Sequence, residues 1–217
     1  MSEERSSELC YVFLSLSGLI GAGKTTLAEK LAKRLDVQLY LEKVEDQELL
    51  QLFYNDKNTY AFALQIDLMA NRLSEQHNIT WSGKGAVQDR SFYEDLAFAR
   101  TLTALGHMTP KQLQVYEHLF DVVTRTMQHP TCVIHLDVTP ETAFRRIQSR
   151  GRENEKGITV EYLRILNKHY TDILNHVSKS VKVVSIDWSE FKNEEQVVDA
   201  LEIELFGPNH HIIHLAV

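Results

Sequence analysis

Residues Gly18-Leu19-Ile20-Gly21-Ala22-Gly23-Lys24-Thr25 constrain this chain more than any other segment. They form a complete glycine-rich phosphate-loop pattern, lying between an apolar run that reads as a strand and a segment of helical period. Glycines let backbone N–H groups turn inward around a β-phosphate, and the helix beginning near Lys24 adds its dipole. Lys24 is placed to bridge β- and γ-phosphates, the Thr25 hydroxyl to ligate magnesium, and Thr26 to extend the same turn. The alternative is a closely packed turn that binds nothing, but the lysine-threonine ending in a strand-turn-helix context argues against it. The pattern fixes the nucleotide and leaves the reaction open, because many reaction types share it.

The rest of the chain fits an α/β architecture. Short apolar runs at Tyr11 to Leu16, Val37 to Leu41, Ala86 to Asp89, Cys132 to Asp137 and Val181 to Ile186 alternate with longer helical segments, which predicts a central five-stranded parallel sheet flanked by helices. The helical segments are Lys24 to Leu35, Thr59 to Gln76, Phe92 to Leu105, Pro110 to Gln128, Pro140 to Arg150, Val160 to His176 and Glu194 to Leu205. Leu113, Tyr116, Leu119, Phe120 and Val123 recur at spacings of three and four, which predicts one buried face. Trp81 to Gly85 is expected to be a turn and Gly151 to Ile158 a polar, mobile loop.

With 217 residues and no repeat, the chain is expected to be one domain, 1–217, with its core over about 10–206 and flexible tails at 1–9 and 207–217. His210, His211 and His214 are assigned to that exposed tail and given no role. The net charge of −7 has the wrong sign for non-specific nucleic-acid binding. No apolar stretch is long enough to span a bilayer, and the first ten residues carry three glutamates, unlike a mitochondrial presequence. Cys10 and Cys132 lie in apolar runs and do not make a disulfide framework, which favours a cytoplasmic setting, with the nucleus as the other option.

Further motifs give the chemistry. Glu42 ends the second expected strand, and Asp89-Arg90-Ser91 follows the third, at the carboxyl edge where open α/β sheets bind ligands. Arg146, Arg150 and Arg152 gather ahead of Glu155. Taken together and in this order, these motifs make the chain resemble the deoxyribonucleoside kinase family over roughly residues 10 to 190. The resemblance implies a phosphate-loop kinase fold with an arginine-rich lid, and transfer of the ATP γ-phosphate to the 5′-hydroxyl of a deoxyribonucleoside with Mg2+.

In that family Glu42 would be the general base, although Glu42-Lys43-Val44 lacks the usual proline, and a solvated strand end is its bland reading. Asp89 would organise the metal, with a helix cap as its alternative, and Arg90 would meet both the 5′-hydroxyl and the transferring phosphate. Whether Glu42 or Asp89 is the formal base stays open. Arg146, Arg150 and Arg152 would close over ATP, against the alternative of a solvated basic turn.

Tyr54, Gln65, Arg72 and Asp95 match the family's substrate-binding positions. Tyr54 and Glu155 would meet the sugar hydroxyl, Gln65 one base edge, and an Arg72–Asp95 pair an amino-bearing base. Relatives that prefer thymidine tend to carry apolar residues at the paired positions. The implied preference is therefore deoxyadenosine, deoxyguanosine or deoxycytidine. Phe62 and Phe92 are candidate stacking walls, with core packing as the alternative, and a surface ion pair is the bland reading of Arg72. The resemblance also suggests a homodimer through helices flanking the sheet.

Two other functions compete. A thymidylate-type nucleoside monophosphate kinase shares the loop, the Asp-Arg pair and the lid arginines, but needs cations for the substrate phosphate near the second strand, where this chain has Glu42. A catalytically silent nucleotide-binding subunit is the other, and Lys24, Glu42 and Arg90 together argue against it.

Overall fold

A computed structural model describes residues 12–41, 47–152, 155–190, 192, 194–205 and 212–215. Its strands are β1 (Phe13–Gly18), β2 (Gln38–Tyr40), β3 (Ala86–Asp89), β4 (Cys132–Asp137), β5 (Lys182–Asp187) and β6 (Ile212–Leu215). Its helices are α1 (Lys24–Leu35), α2 (Gln47–Asn55), α3 (Lys57–Ser82), α4 (Glu94–Ala104), α5 (Pro110–Thr124), α6 (Pro140–Arg150), α7 (Val160–Val177) and α8 (Glu194–Leu205).

The strands form one parallel sheet in the order β2-β3-β1-β4-β5-β6. In register, Leu14 lies between Val87 and Cys132, and Leu16 between Asp89 and Ile134. Helices cover both faces of such a sheet, so β1, β4 and β5 are buried along nearly their whole length. From β1 the chain runs out to β2, returns through β3 beside β1, and crosses over to β4 on the other side of β1, and this reversal of direction opens a crevice at the carboxyl end of β1. The phosphate loop sits there.

Local chemistry sets the helix bounds. In α1, Leu27, Ala28, Leu31, Ala32 and Leu35 are buried, while Lys33 and Arg34 complement the dipole in the last turn. Asp56 caps α3 by accepting from the Thr59 N–H at 3.2 Å, and left-handed Gly83 (φ 61°) ends it. Thr109 and Gln112 form a reciprocal capping box ahead of Pro110 on α5.

The five expected strands are present, and the fold class holds. Three expectations need correction. Residues 212–215 are not a loose tail: this short β-branched run pairs with β5, placing His214 beside Ser185 in register. Residues 81 and 82 belong to α3 rather than to a turn, because the Asp56 cap and the Gly83 stop define one long helix of 26 residues. Helix α2 was not foreseen. The outer expected tail, 1–9, lies outside the described residues.

The main core surrounds the sheet and includes Leu14, Leu16, Ile134, Val184, Leu163 and Trp188. Each such fully buried aliphatic side chain stabilises by about 1.5–3 kcal/mol. A second cluster, with Met69, Leu102, Tyr116 and Phe120, packs α3, α4 and α5 together and backs the crevice.

Candidate active site

The phosphate loop turns on glycines with positive φ, at Gly18 (146°), Gly21 (84°) and Gly23 (99°). A Cβ on Gly21 would lie 2.9 Å from the Ala143 carbonyl oxygen and 2.9 Å from Ile147 Cγ1, so the loop is seated directly against α6. Lys24, almost fully buried, donates from Nζ to the carbonyl oxygens of Gly18 (2.6 Å) and Leu19 (3.1 Å). Leu19 and Ala22 are buried, and Thr26 is exposed on the first turn of α1.

The Thr25 hydroxyl donates to Asp89 Oδ2 at 2.5 Å, bringing the loop and the end of β3 together. Hydroxyl and carboxylate are the hard oxygen donors that suit magnesium, which binds through one or two carboxylates plus phosphate and keeps several waters. Asp89 makes this contact to α1, and α4 has Tyr93 at its N-cap with no side-chain cap, so the helix-cap reading of Asp89 is replaced.

Arg90 follows with φ 90°, a sparsely populated conformation for a residue with a side chain. Its Nη1 donates to Glu94 Oε2 (3.1 Å) and to the Tyr170 hydroxyl (3.2 Å), and its Cζ lies 5.0 Å from the Phe98 ring centroid. Glu94 Oε1 also accepts the Gly18 N–H at 2.8 Å. Glu94 was missed in the sequence. The sequence carried no signal for it, because Arg90 lies in the turn before α4 and the pair is formed by the fold of that turn.

The arginines on and just after α6 diverge. Arg146 donates to the carbonyl oxygens of Ala22 (3.3 Å), Trp188 (2.7 Å) and Ser189 (3.1 Å), bracing the phosphate loop against the segment after β5. Arg150 instead donates to Glu155 at 2.5 Å, and Arg152 lies 3.9 Å from the same carboxylate.

A cavity of about 180 Å³ opens beside the loop, with Ile20 as one wall and Tyr54, Gln65, Phe53, Phe98 and Tyr162 as others. Burial, and then the Glu155 carboxylate, raise the Tyr54 hydroxyl above its ordinary range, so these two residues are electrostatic neighbours. Burial also raises Tyr162. Arg72 Nε donates to both Asp95 oxygens at 2.9 Å, and the pair is almost fully buried, which replaces the surface-pair reading. Arg72 lies two turns beyond Gln65 on α3; neither it nor Asp95 lines the cavity.

Phe92 stacks on Phe120, with centroids 5.0 Å apart, and Phe62 packs against the same helix cluster. Both therefore belong to packing, and Phe53 and Phe98 are the aromatic walls. Glu42, the expected base, lies outside the described residues.

Fold and loop define a phosphate-loop nucleotide-binding protein. The deoxynucleoside kinase family model matches residues 14–204. A deoxyadenosine kinase of Dictyostelium discoideum is 42% identical over 191 residues, covering 88% of this chain and 78% of that one. The deoxyadenosine/deoxycytidine kinase of Bacillus subtilis (strain 168) is 38% identical over 201 residues, covering 91% and 93%. Among solved structures, the deoxyadenosine kinase from M. mycoides with bound dATP superposes with a TM-score of 0.77 at 25% identity, covering 90% of this chain and 100% of that one. The chain belongs to the deoxynucleoside kinase family.

Proposed function

We propose that the chain transfers the γ-phosphate of ATP to the 5′-hydroxyl of deoxyadenosine, deoxyguanosine or deoxycytidine in preference to thymidine. The observation that carries this reading is that Ile20 belongs both to the phosphate loop and to the wall of the cavity holding Tyr54, Gln65 and Phe98. A nucleoside seated there has its sugar end toward the loop.

Loop N–H groups and Lys24 hold the triphosphate, and Arg90 binds the reacting oxygens. Glu42 takes the hydroxyl proton, and Arg146, Arg150 and Arg152 enclose the donor. Lys24 exchanges its two carbonyl partners for phosphate oxygens when the nucleotide arrives. Tyr54 and Glu155 hold the sugar. Thr25 and Asp89 hold magnesium, which, when bound, neutralises charge on the phosphates.

Gln65 reads one base edge, and the Arg72–Asp95 pair fixes the polar ground behind it. Support for the base preference comes from the presence of that buried charged pair, where relatives that prefer thymidine tend to carry apolar residues. The named substrates of the similar kinases from D. discoideum and B. subtilis agree with it.

Among the described residues no helix is long and apolar enough to cross a membrane. The reading takes the enzyme as cytoplasmic, acting on small molecules without nucleic acid, and dimeric. Exposed Val115, Leu119 and Val122, at helical spacing on α5, support an apolar face for a second copy.

The test is a screen of the four natural deoxynucleosides with ATP and Mg2+, measuring 5′-monophosphate formation. Deoxyadenosine, deoxyguanosine or deoxycytidine is expected to give the highest kcat/KM. Thymidine as the best substrate would defeat the base assignment.

A further inference from the structure

Glu94 is 2% exposed, and each of its two carboxylate oxygens meets a different part of the site. Oε1 accepts the N–H of Gly18, where β1 gives way to the phosphate loop, at 2.8 Å. Oε2 accepts from Arg90 Nη1 at 3.1 Å. One side chain thus spans the donor-side loop and the arginine assigned to the acceptor.

Burial of a carboxylate is costly, several kcal/mol in the absence of partners. Two conditions offset it here. Glu94 is the first residue of α4, where the helix dipole favours a negative charge, and its partners are a backbone N–H and a guanidinium. Arg90 gains as well. Its φ of 90° is held only if the surroundings over-determine it, and the Glu94 carboxylate, the Tyr170 hydroxyl and the Phe98 ring surround its guanidinium.

We propose that Glu94 is a positioning residue for phosphoryl transfer: it locks the Arg90 guanidinium to the start of the phosphate loop, so that acceptor hydroxyl and γ-phosphate are held in one register. The proposal rests on the reading of Arg90 as the group that meets both. Tyr170 extends the same link to α7, the helix that follows the lid arginines, so the lid side of the site shares the anchor.

The chemistry needs a carboxylate. Both partners are donors, and a carboxylate accepts on both oxygens. A glutamine in its place accepts on one oxygen and turns its amide –NH2 against the other donor, which releases either Gly18 or Arg90. Size is kept while the register is lost.

The experiment is a double-mutant cycle of Glu94→Gln and Arg90→Lys, read as kcat and as KM for ATP and for the nucleoside, with thermal melting to follow the fold. Glu94→Gln is expected to lower kcat on the order of 10²-fold with the KM for ATP changed less than about threefold, as misplacement of a reacting group does. The double variant is expected to be no slower than Arg90→Lys alone, because Glu94 acts through Arg90.

Multiplicative losses would overturn the proposal, as would a Glu94→Gln enzyme within about twofold of the parent kcat. An Arg90→Lys enzyme of undiminished kcat would overturn the reading of Arg90 and the proposal with it. ADP release with no nucleoside accepted by the parent enzyme would instead sink the proposed function. If Glu94→Gln does not fold, Glu94→Asp completes the same cycle, since it keeps both acceptor oxygens and withdraws them by one methylene.

Discussion

The Thr25 hydroxyl donates to Asp89 Oδ2 across 2.5 Å, so the first turn of the helix after the phosphate loop is tied to the end of the neighbouring strand. On the proposed reading these are the two oxygen donors that would hold magnesium. Asp89→Asn keeps the shape and removes the charge. A Mg2+ titration of the initial rate is expected to show half-saturation at a higher concentration and a maximal rate lowered about 10- to 100-fold. An unchanged magnesium requirement would remove Asp89 from the metal site.

The Arg72–Asp95 pair separates stability from specificity. Asp95→Ala leaves a buried guanidinium without its carboxylate, at a cost of about 3–5 kcal/mol, so the melting temperature should fall by roughly 10 °C. Arg72→Met combined with Asp95→Ala removes both charges and should recover much of that loss. The same double variant should raise the ratio of thymidine to deoxyadenosine turnover about tenfold, as loss of the polar ground behind the base would permit.

His135 on β4 should make stability fall with acid. Burial holds its imidazole down to about 4, with Lys24 lowering it further and Asp137 opposing, while its Nδ1 lies 3.2 Å from the Ser17 hydroxyl and Tyr170 packs near its ring. The folded state therefore keeps His135 neutral where the unfolded chain takes up a proton. Its contribution is complete above pH 6.5 and is lost as pH falls toward about 4, a change on the order of 3 kcal/mol. Urea unfolding of the parent and of His135→Gln at several pH values isolates this slope, which should flatten in the variant. Parallel curves would contradict the assignment.

Gly21→Ala and Gly83→Ala form a matched pair. Both glycines have positive φ, but a Cβ at Gly21 meets a carbonyl and Ile147 at 2.9 Å, whereas at Gly83 nothing lies within 4 Å. Gly83→Ala should cost only about 1 kcal/mol of stability with turnover intact. Gly21→Ala should push the loop off α6 and weaken ATP binding at least about tenfold, which calorimetric titration with ATP would measure. Equal ATP affinity in the two variants would contradict that account.

The phosphate loop and the five central strands were legible because each is specified locally, by glycine placement or by an apolar run bounded by turn residues. Strand β6 was not, since Ile212 and Ile213 stand between His211 and His214 and make too short an apolar run to signal a strand. Phe92 precedes α4 and stacks on Phe120, while Phe98, not singled out in the sequence, faces the cavity and Arg90 because of how α7 packs on α4. Glu94 drew no reading from the sequence; only the tertiary approach of Gly18 gives it a second partner beside Arg90. Tyr54 and Gln65, expected from the family pattern, line the cavity, whereas the burial of Arg72 against Asp95 had no signal in the sequence.

ADP release by the purified protein with ATP and Mg2+, measured in parallel with free deoxynucleosides and with deoxynucleoside monophosphates as acceptors, tests the central claim most directly. Release is expected with deoxyadenosine, deoxyguanosine or deoxycytidine and not with the monophosphates, and Glu42→Gln should reduce it by a factor on the order of 10². Release driven by monophosphates while every free nucleoside stays intact would contradict it.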